Sequence, residues 1–118
     1  MTPPTPQEPS AAVEDAWWRD EGREGLEQLL YWVWDPIGVS SAYPDARDEY
    51  ATYAARLEPL LRAGAGADEV ERSLREAEER DIEASAGDAR RRDAAERVVD
   101  WYGAAAIRLA AEERAGWR

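Results

Sequence analysis

The chain has 118 residues, and 26 acidic against 15 basic side chains give it a formal net charge of -11 at pH 7. The basic residues are all Arg, and neither Cys nor His occurs. This composition fits one domain and excludes disulfides, thiol nucleophiles, structural zinc sites and proton relays through His.

The N-terminal segment is rich in proline and has little apolar surface to bury. We expect a disordered tail over residues 1–12 and a helical domain over residues 13–118. The spacing of Pro3, Pro6 and Pro9 matches a polyproline ligand, but no basic or aromatic flank accompanies it, which favours a solvated tail. A basic start, an apolar leader and a membrane-spanning stretch are missing, so a cytoplasmic location is predicted.

The first helix is predicted from residue 13 or 14 to Trp34. Its apolar side chains recur at helical spacing; they are Leu26, Leu29, Leu30 and Val33. Gly22 and Gly25 each weaken a helix by about 1 kcal/mol relative to Ala. The sequence therefore allows two arrangements, a helix that breaks near them into two pieces and a helix that continues through them.

Two further helices are predicted in the middle of the chain. The earlier one begins around Pro44, which suits the first turn of a helix, and Pro59 is expected either to kink it or to leave a defect in its hydrogen-bond ladder. Its inward side chains are Tyr50, Tyr53, Ala54, Leu57, Leu60 and Leu61. After Gly64, Asp68 and Glu71 form the pattern of a capping box that opens the next helix. The inward side chains of that helix are Val70, Leu74 and Ala77.

The last helix, predicted over residues 89–115, has the clearest apolar periodicity. Its apolar arc, with Trp101 at the edge, comprises Ala95, Val98, Val99, Tyr102, Ala105, Ala106 and Leu109. No alternating stretch or hairpin signal occurs. The predicted fold is all-α, a single domain of four helices. With six Trp and five Tyr, its core is expected to be built from aromatic side chains and Ala rather than from Leu and Ile.

The residues around the first predicted turn indicate a structural corner. Trp34 closes the first helix, and Asp35 can accept hydrogen bonds from the backbone N–H groups of the turn that follows. Pro36 ends the helix, and Gly38 permits an unusual backbone angle.

Tyr50 and Tyr53 lie one turn apart on the following helix. We expect both to pack beneath the corner, with their hydroxyls reaching Asp35 or a backbone carbonyl. The runs Trp-Asp-Pro-Ile-Gly and Asp-Glu-Tyr-x-x-Tyr, followed by Leu-Leu-x-x-Gly, resemble a family of small uncharacterised bacterial helical proteins. The resemblance covers about residues 26–83, and some relatives are encoded among polymorphic-toxin immunity genes. It implies a helical fold and suggests a role in toxin immunity.

Enzymatic chemistry in this chain would fall to carboxylates and tyrosines. An active site with Asp35 as the base and a tyrosine as the acid is the alternative to a structural corner, but carboxylates spread over helices are typical of a solvated coat. Asp45, Asp48 and Glu49 could offer oxygen ligands to Ca²⁺ or Mg²⁺. Their spacing differs from the twelve-residue calcium loop, and a helix start explains them without an ion. We predict no catalytic residue, no metal site and no cofactor.

The distribution of charge disfavours nucleic acid and anionic membranes as partners. Residues 68–87 hold eight acids and three Arg, a balance of -5. The only basic cluster is Arg90, Arg91 and Arg92, and we expect it to pair with acids of its own helix or of the acidic third helix rather than with phosphate.

The acidic third helix and the tryptophans predict a basic protein partner. Acidic side chains accelerate encounter with a basic protein, and exposed Trp side chains often anchor interfaces. Trp17 and Trp18 are adjacent, so we expect only one of them to point inward. The predicted contacts are Glu71, Glu76, Glu78, Glu79 and Glu83 for steering, and Trp18 or Trp101 for packing.

We therefore predict a non-enzymatic binding protein, most specifically an immunity- or antitoxin-like protein that masks a basic toxin surface. The alternative is a helical structural or self-associating subunit of a bacterial assembly, for example a homodimer, with the charge serving solubility only. An enzyme acting through Asp35 and the tyrosines is the third hypothesis.

Overall fold

A computed structural model of the protein describes residues 8–34, 45–82 and 87–116, except for the side chains of residues 45–49 and 81–82. In chain order the helices are α1 (Ala11–Trp17), α2 (Arg23–Val33), α3 (Asp45–Arg62), α4 (Ala67–Ala77) and α5 (Asp88–Arg114). A first π-helical segment, Trp18–Gly22, joins α1 to α2, and a second, Glu78–Ile82, extends α4. The contiguous α1, first π-helical segment and α2 form one helical rod, α4 and the second π-helical segment form another, and α3 and α5 are the remaining two. These ranges contain no strand, so the predicted all-α fold of four helices is confirmed.

The four rods form a closed ring of helix pairs. Helix α2 packs on α3, α3 on α4, α4 on α5, and α5 on α2. Helix α1 continues the rod of α2 and also packs on α5. Because α5 has 27 residues, it is about 40 Å long, and it runs through most of a molecule measuring 50 × 27 × 18 Å.

The core combines aromatic rings with leucines. The largest fully buried aromatic side chains are Trp18, Trp34 and Tyr50. Five leucines are buried to the same degree, namely Leu26, Leu30, Leu57, Leu61 and Leu74. The predicted aromatic contribution to the core is thus confirmed. The expectation that leucine would contribute little is wrong, because the few leucines nearly all face inward.

The first helical rod continues through its glycines, which decides between the two arrangements that the sequence allows. Gly22 has α-helical dihedral angles (φ -64°, ψ -43°) and ends the first π-helical segment. A Cβ atom at Gly22 would lie 2.7 Å from the Trp17 ring and 2.9 Å from the Trp18 ring, and one at Gly25 would lie 3.3 Å from the Trp101 ring. Both glycines therefore make room for indole rings against the helix backbone.

Between α3 and α4, the helix ends are capped by backbone groups rather than by side chains. Gly64 has φ +90°, and the N–H groups of Gly64 and Ala65 donate to the carbonyls of Leu61 and Leu60. This is the Schellman arrangement, which favours glycine at the left-handed position. Helix α4 begins after Gly66 with no side-chain cap, so the predicted capping box is wrong.

Helix α3 runs through Pro59 to Arg62. The carbonyl of Pro59 still accepts a hydrogen bond from the N–H of Ala63 at 3.1 Å. Because proline has no N–H, the hydrogen bond that position 59 would donate one turn back is absent. The predicted start at Pro44 lies outside the described residues.

Two glycines within helical segments are expected to respond to alanine in opposite directions. Gly103 lies inside α5, and a Cβ atom there would meet nothing within 4 Å. The Gly103→Ala variant should therefore raise the free energy of unfolding by up to about 1 kcal/mol, the helix-propensity difference between the two residues. The Gly22→Ala variant should lower it by about 1–3 kcal/mol, because the rings of Trp17 and Trp18 must move.

Urea unfolding of the wild type and both variants, followed by circular dichroism, measures this difference. A stabilised Gly22→Ala variant would show that the indoles do not pack over that glycine.

Candidate protein-interaction surface

Glu78, the first residue of the second π-helical segment, is a buried carboxylate with only 3% of its side chain exposed. Its Oε2 accepts a 2.7 Å hydrogen bond from the indole Nε1 of Trp34, and its Oε1 accepts one of 2.7 Å from Arg91. Both carboxylate oxygens are thus used inside the protein. The prediction of Glu78 as a steering contact is wrong, because the packing of α4 on α5 turns this position into the core.

Arg91 and Arg92 connect α5 to the acids of α4. Arg91 lies 3.5 Å from the carboxylate of Glu71, and Arg92 donates to both Asp68 and Glu71. Burial opposes the charge of Arg91, but its hydrogen bond to Asp88 and the nearby Glu78 outweigh this and raise its pKa. The predicted pairing of this basic cluster with the third helix is confirmed for these two arginines, and it removes Glu71 from the freely exposed acids.

The remaining predicted steering residues divide as follows. Glu76 is about half exposed and pairs with Arg80 at 3.5 Å. Glu79 is exposed and forms no ion pair with a described residue. Glu83 lies outside the described residues. The acidic face predicted for the third helix is therefore smaller than the sequence suggests.

Trp17 and Trp18 both point inward, so the prediction that only one does is wrong. Trp18 is fully buried, and its ring lies 5.9 Å from that of Trp101 and 5.8 Å from that of Tyr102. A π-helical segment holds more residues per turn than an α-helix, so successive side chains diverge by less than 100°. Trp18 consequently cannot serve as a surface anchor, and Trp101 is half-buried against Trp17.

Glu14 organises the polar edge of this indole cluster. Its Oε2 accepts hydrogen bonds from the Nε1 of Trp18, at 3.1 Å, and from the hydroxyl of Tyr102. Burial, and then this carboxylate, raise the pKa of Tyr102. Tyr102 therefore stays protonated and acts as a donor that ties α5 to α1.

Glu58 ties α3 to the first helical rod. Its carboxylate accepts two hydrogen bonds from Arg23, at 2.9 and 3.4 Å, and one of 3.0 Å from Arg62. Arg62 also pairs with Asp15. The hydrogen bond from Arg23 is the largest of the effects that hold the pKa of Glu58 below its ordinary value of 4.5, despite its burial.

This lowered pKa predicts a loss of stability in acid. A carboxyl group whose pKa is lower in the folded than in the unfolded state stabilises the fold at pH values above its unfolded-state pKa. That stabilisation is lost as the pH falls through its folded-state pKa. The free energy of unfolding should therefore fall as the pH drops below about 4.5, and the Glu58→Gln variant should show a shallower fall. Urea unfolding at a series of pH values measures both slopes, and equal slopes would contradict the assignment.

Trp34, Tyr50 and Tyr53 pack together as the sequence predicts for the structural corner. Their ring centroids are 5.5 to 6.2 Å apart, and all three pairs meet edge to face. The other corner residues, Asp35, Pro36 and Gly38, lie outside the described residues. The hydroxyl contacts to Asp35 therefore stay a prediction.

The sequence interpretation missed Trp32, which at 71% exposure is the most exposed aromatic side chain among the residues that the structure describes. Ile107 on α5 is the other large exposed apolar side chain in the described part of the chain, at 56%. The signal for Trp32 was present in the sequence. The stripe of Leu26, Leu30 and Val33 defines the inner face of α2, and position 32 falls outside that stripe.

A shallow groove of about 420 Å³ lies where the first helical rod meets α5. It is lined by Trp17, Gly25, Trp101, Ala104 and Ala105, together with the charged Glu21 and Arg108. The groove thus exposes part of the indole cluster between two opposite charges.

No protein-family model, curated protein or solved structure matches this chain. None of the described helices combines the length and the apolar character that crossing a membrane requires. In the described residues no group of three or more acidic side chains is placed to hold a metal ion, and the side chains of Asp45, Asp48 and Glu49 lie outside them.

Proposed function

We propose that the protein is a non-enzymatic acidic module that binds a basic protein, most specifically an immunity- or antitoxin-like protein that masks the basic surface of a toxin. The observation that carries this proposal is the negative charge left exposed after internal pairing. Five exposed helix carboxylates form no ion pair with a described residue: Glu21, Glu24, Glu69, Glu79 and Asp100. With a net charge of -11, such a surface attracts cations and repels phosphate.

The buried charges support the same proposal, because each of them has a structural role. Glu58, Glu78 and Arg91 are the buried charged residues of the described chain. Each one is hydrogen-bonded to an oppositely charged side chain that lies on another element. Their chemistry is used to hold helices together, so we place the function on the exposed carboxylates.

Capture from the cells that make the protein tests this proposal. Tagged protein should retain a basic protein at low salt and release it near 1 M salt, where the Debye length falls to about 3 Å. The captured protein is then identified, purified and titrated against the wild type. Capture that is independent of salt, or turnover of a small molecule that is abolished when one acid is neutralised, would contradict the proposal.

A second candidate function is that of a self-associating helical subunit, and the groove beside Trp101 favours it. The groove carries both Glu21 and Arg108, so two copies related by a twofold axis can pair each acid with the partner's base. Sedimentation velocity over about a hundredfold range of protein concentration distinguishes the candidates. A concentration-dependent dimer with no captured basic protein would favour self-association.

A further inference from the structure

The outer face of α2 ends in a side chain that the fold leaves in water. Trp32 is 71% exposed, whereas the rings of Trp17, Trp18 and Trp34 are buried. Trp side chains are highly buried on average, and Trp is among the side chains most enriched in the energetic centres of interfaces. The packing of the described residues therefore does not account for the position of Trp32.

The ring of Trp32 packs against Tyr31, which in turn packs against the aromatic rings of the core. It meets Tyr31 edge to face at 5.0 Å, and Tyr31 contacts Tyr50 at 6.3 Å. Tyr50 in turn contacts the buried ring of Trp34 at 5.9 Å. An anchor that rests on a chain of packed rings loses less conformational entropy on binding than a freely rotating side chain.

The same face carries negative charge at its other end. Glu24, Gln28 and Trp32 follow one another at intervals of four residues and are all exposed, and Glu21 precedes them. We call these four residues the Trp32 face. Glu21 and Glu24 form no ion pair with a described residue, so the charge of this end is available to a partner.

The acidic side chains lie at one end of this face and the exposed indole at the other, and this arrangement constrains the chemistry of the partner's surface. Arg90 donates to the carbonyl of Val33 at 3.4 Å, so a cationic side chain lies near the end of the face that carries Trp32. At 1.5 Å per residue, Glu24 lies about 12 Å from Trp32 along the helix axis. A complementary surface has an apolar pocket for the indole and basic side chains about 12 Å away from it.

We propose that the Trp32 face is the docking surface for the basic protein, with Trp32 inserted into an apolar pocket and with Glu21 and Glu24 facing Lys or Arg side chains. This inference rests on the proposed function and names the surface that performs it. A second copy is a poorer occupant, because it brings another net charge of -11 and the same two acids. The acidic face of α4 that the sequence favours lacks an exposed aromatic anchor among its described residues.

Site-specific photocrosslinking in the cells that make the protein tests this surface, because it captures whichever molecule lies against the labelled position. The photoreactive residue p-benzoylphenylalanine replaces Trp32 in one variant, Ile107 in a second and Glu79 in a third. Ile107 is the matched control, since it is an exposed apolar side chain on a different helix. We expect a crosslink to a basic protein from position 32 and none from position 107.

The other outcomes separate the docking surface from the proposed function. A basic protein crosslinked from position 79 but not from position 32 would overturn the Trp32 face and leave the proposed function standing. A crosslink from position 32 to a second copy, or to another segment of the same chain, would overturn the inference, and so would the absence of any crosslink there. Failure to capture any basic protein counts against the proposed function itself.

Binding kinetics with the purified, captured protein provide a second readout. The Trp32→Ala variant should dissociate at least tenfold faster, because a buried anchor acts mainly on the dissociation rate. The Glu21→Gln/Glu24→Gln variant should associate more slowly and with a weaker dependence on salt. The matched variant Glu69→Gln/Glu79→Gln carries the same change in net charge, and an equal effect from it would overturn the assignment to the Trp32 face.

Discussion

Replacing Arg91 with alanine is expected to lower the free energy of unfolding by about 3 kcal/mol, near the lower end of the range for breaking a buried ion pair. The side chain is only 4% exposed and donates to Glu78, which is equally buried. The variant would leave Glu78 as a buried carboxylate with Trp34 as a remaining donor. We expect a loss near the lower end of that range because Arg91 also forms an ion pair with Asp88, which is exposed to water.

Two further variants make this prediction specific. Arg92 is the neighbouring residue with the same chemistry, but it is about 42% exposed, and two of its three acidic partners, Asp68 and Glu96, are themselves exposed. The Arg92→Ala variant should therefore unfold at nearly the wild-type urea concentration. The double variant Arg91→Met/Glu78→Leu should recover part of the lost stability, since it removes both buried charges together.

Urea unfolding followed by tryptophan fluorescence measures all three variants. Equal losses for Arg91→Ala and Arg92→Ala would show that burial does not set the strength of these pairs. A double variant less stable than Arg91→Ala would show that Glu78 has a stabilising role beyond its pairing with Arg91.

Trp18→Ala is expected to cost about 3–5 kcal/mol, as for other fully buried Trp side chains, whereas Trp32→Ala should change stability by less than about 0.5 kcal/mol. Trp18 is enclosed by Trp17, Trp101 and Tyr102, so its removal leaves a large cavity. Trp32 is mostly in water, so its removal leaves none. Thermal unfolding followed by circular dichroism measures both changes.

The pair of variants also distinguishes two roles for tryptophan. The sequence suggests Trp18 as a partner anchor, whereas the structure buries it and exposes Trp32. The Trp18→Phe variant is a control that keeps a ring but removes the hydrogen bond to Glu14, and its stability should lie between those of the wild type and Trp18→Ala. A Trp18→Ala variant with wild-type stability and impaired binding would restore the sequence-based assignment.

The local pattern of the sequence predicts most helices well. The described boundaries of α5, Asp88–Arg114, differ by one residue at each end from the predicted range of 89–115. The inward positions of α4 are also confirmed, with Val70, Leu74 and Ala77 all buried. Helical periodicity and glycine at the helix ends act within one or two turns, so a single sequence is enough to reveal them.

The candidate site was less predictable, because exposure depends on how the helices pack. The acids of the third helix form a uniform charge run in the sequence, yet Glu71 and Glu78 pair with arginines of α5. The run contains no local sign of which acids are paired. Trp32, in contrast, could have been found from its position outside the apolar stripe of α2.

By itself, the sequence determined that this protein is helical, acidic and without thiol or imidazole chemistry, because composition and short-range periodicity are properties of the chain alone. Only the tertiary structure decided which charges are neutralised and which indole meets water. The first π-helical segment shows the physical reason. A small change in the number of residues per turn, together with the missing side chain of Gly22, allows Trp17 and Trp18 to pack on the same neighbouring helix. Periodicity rules assume a regular α-helix, so they do not predict this packing.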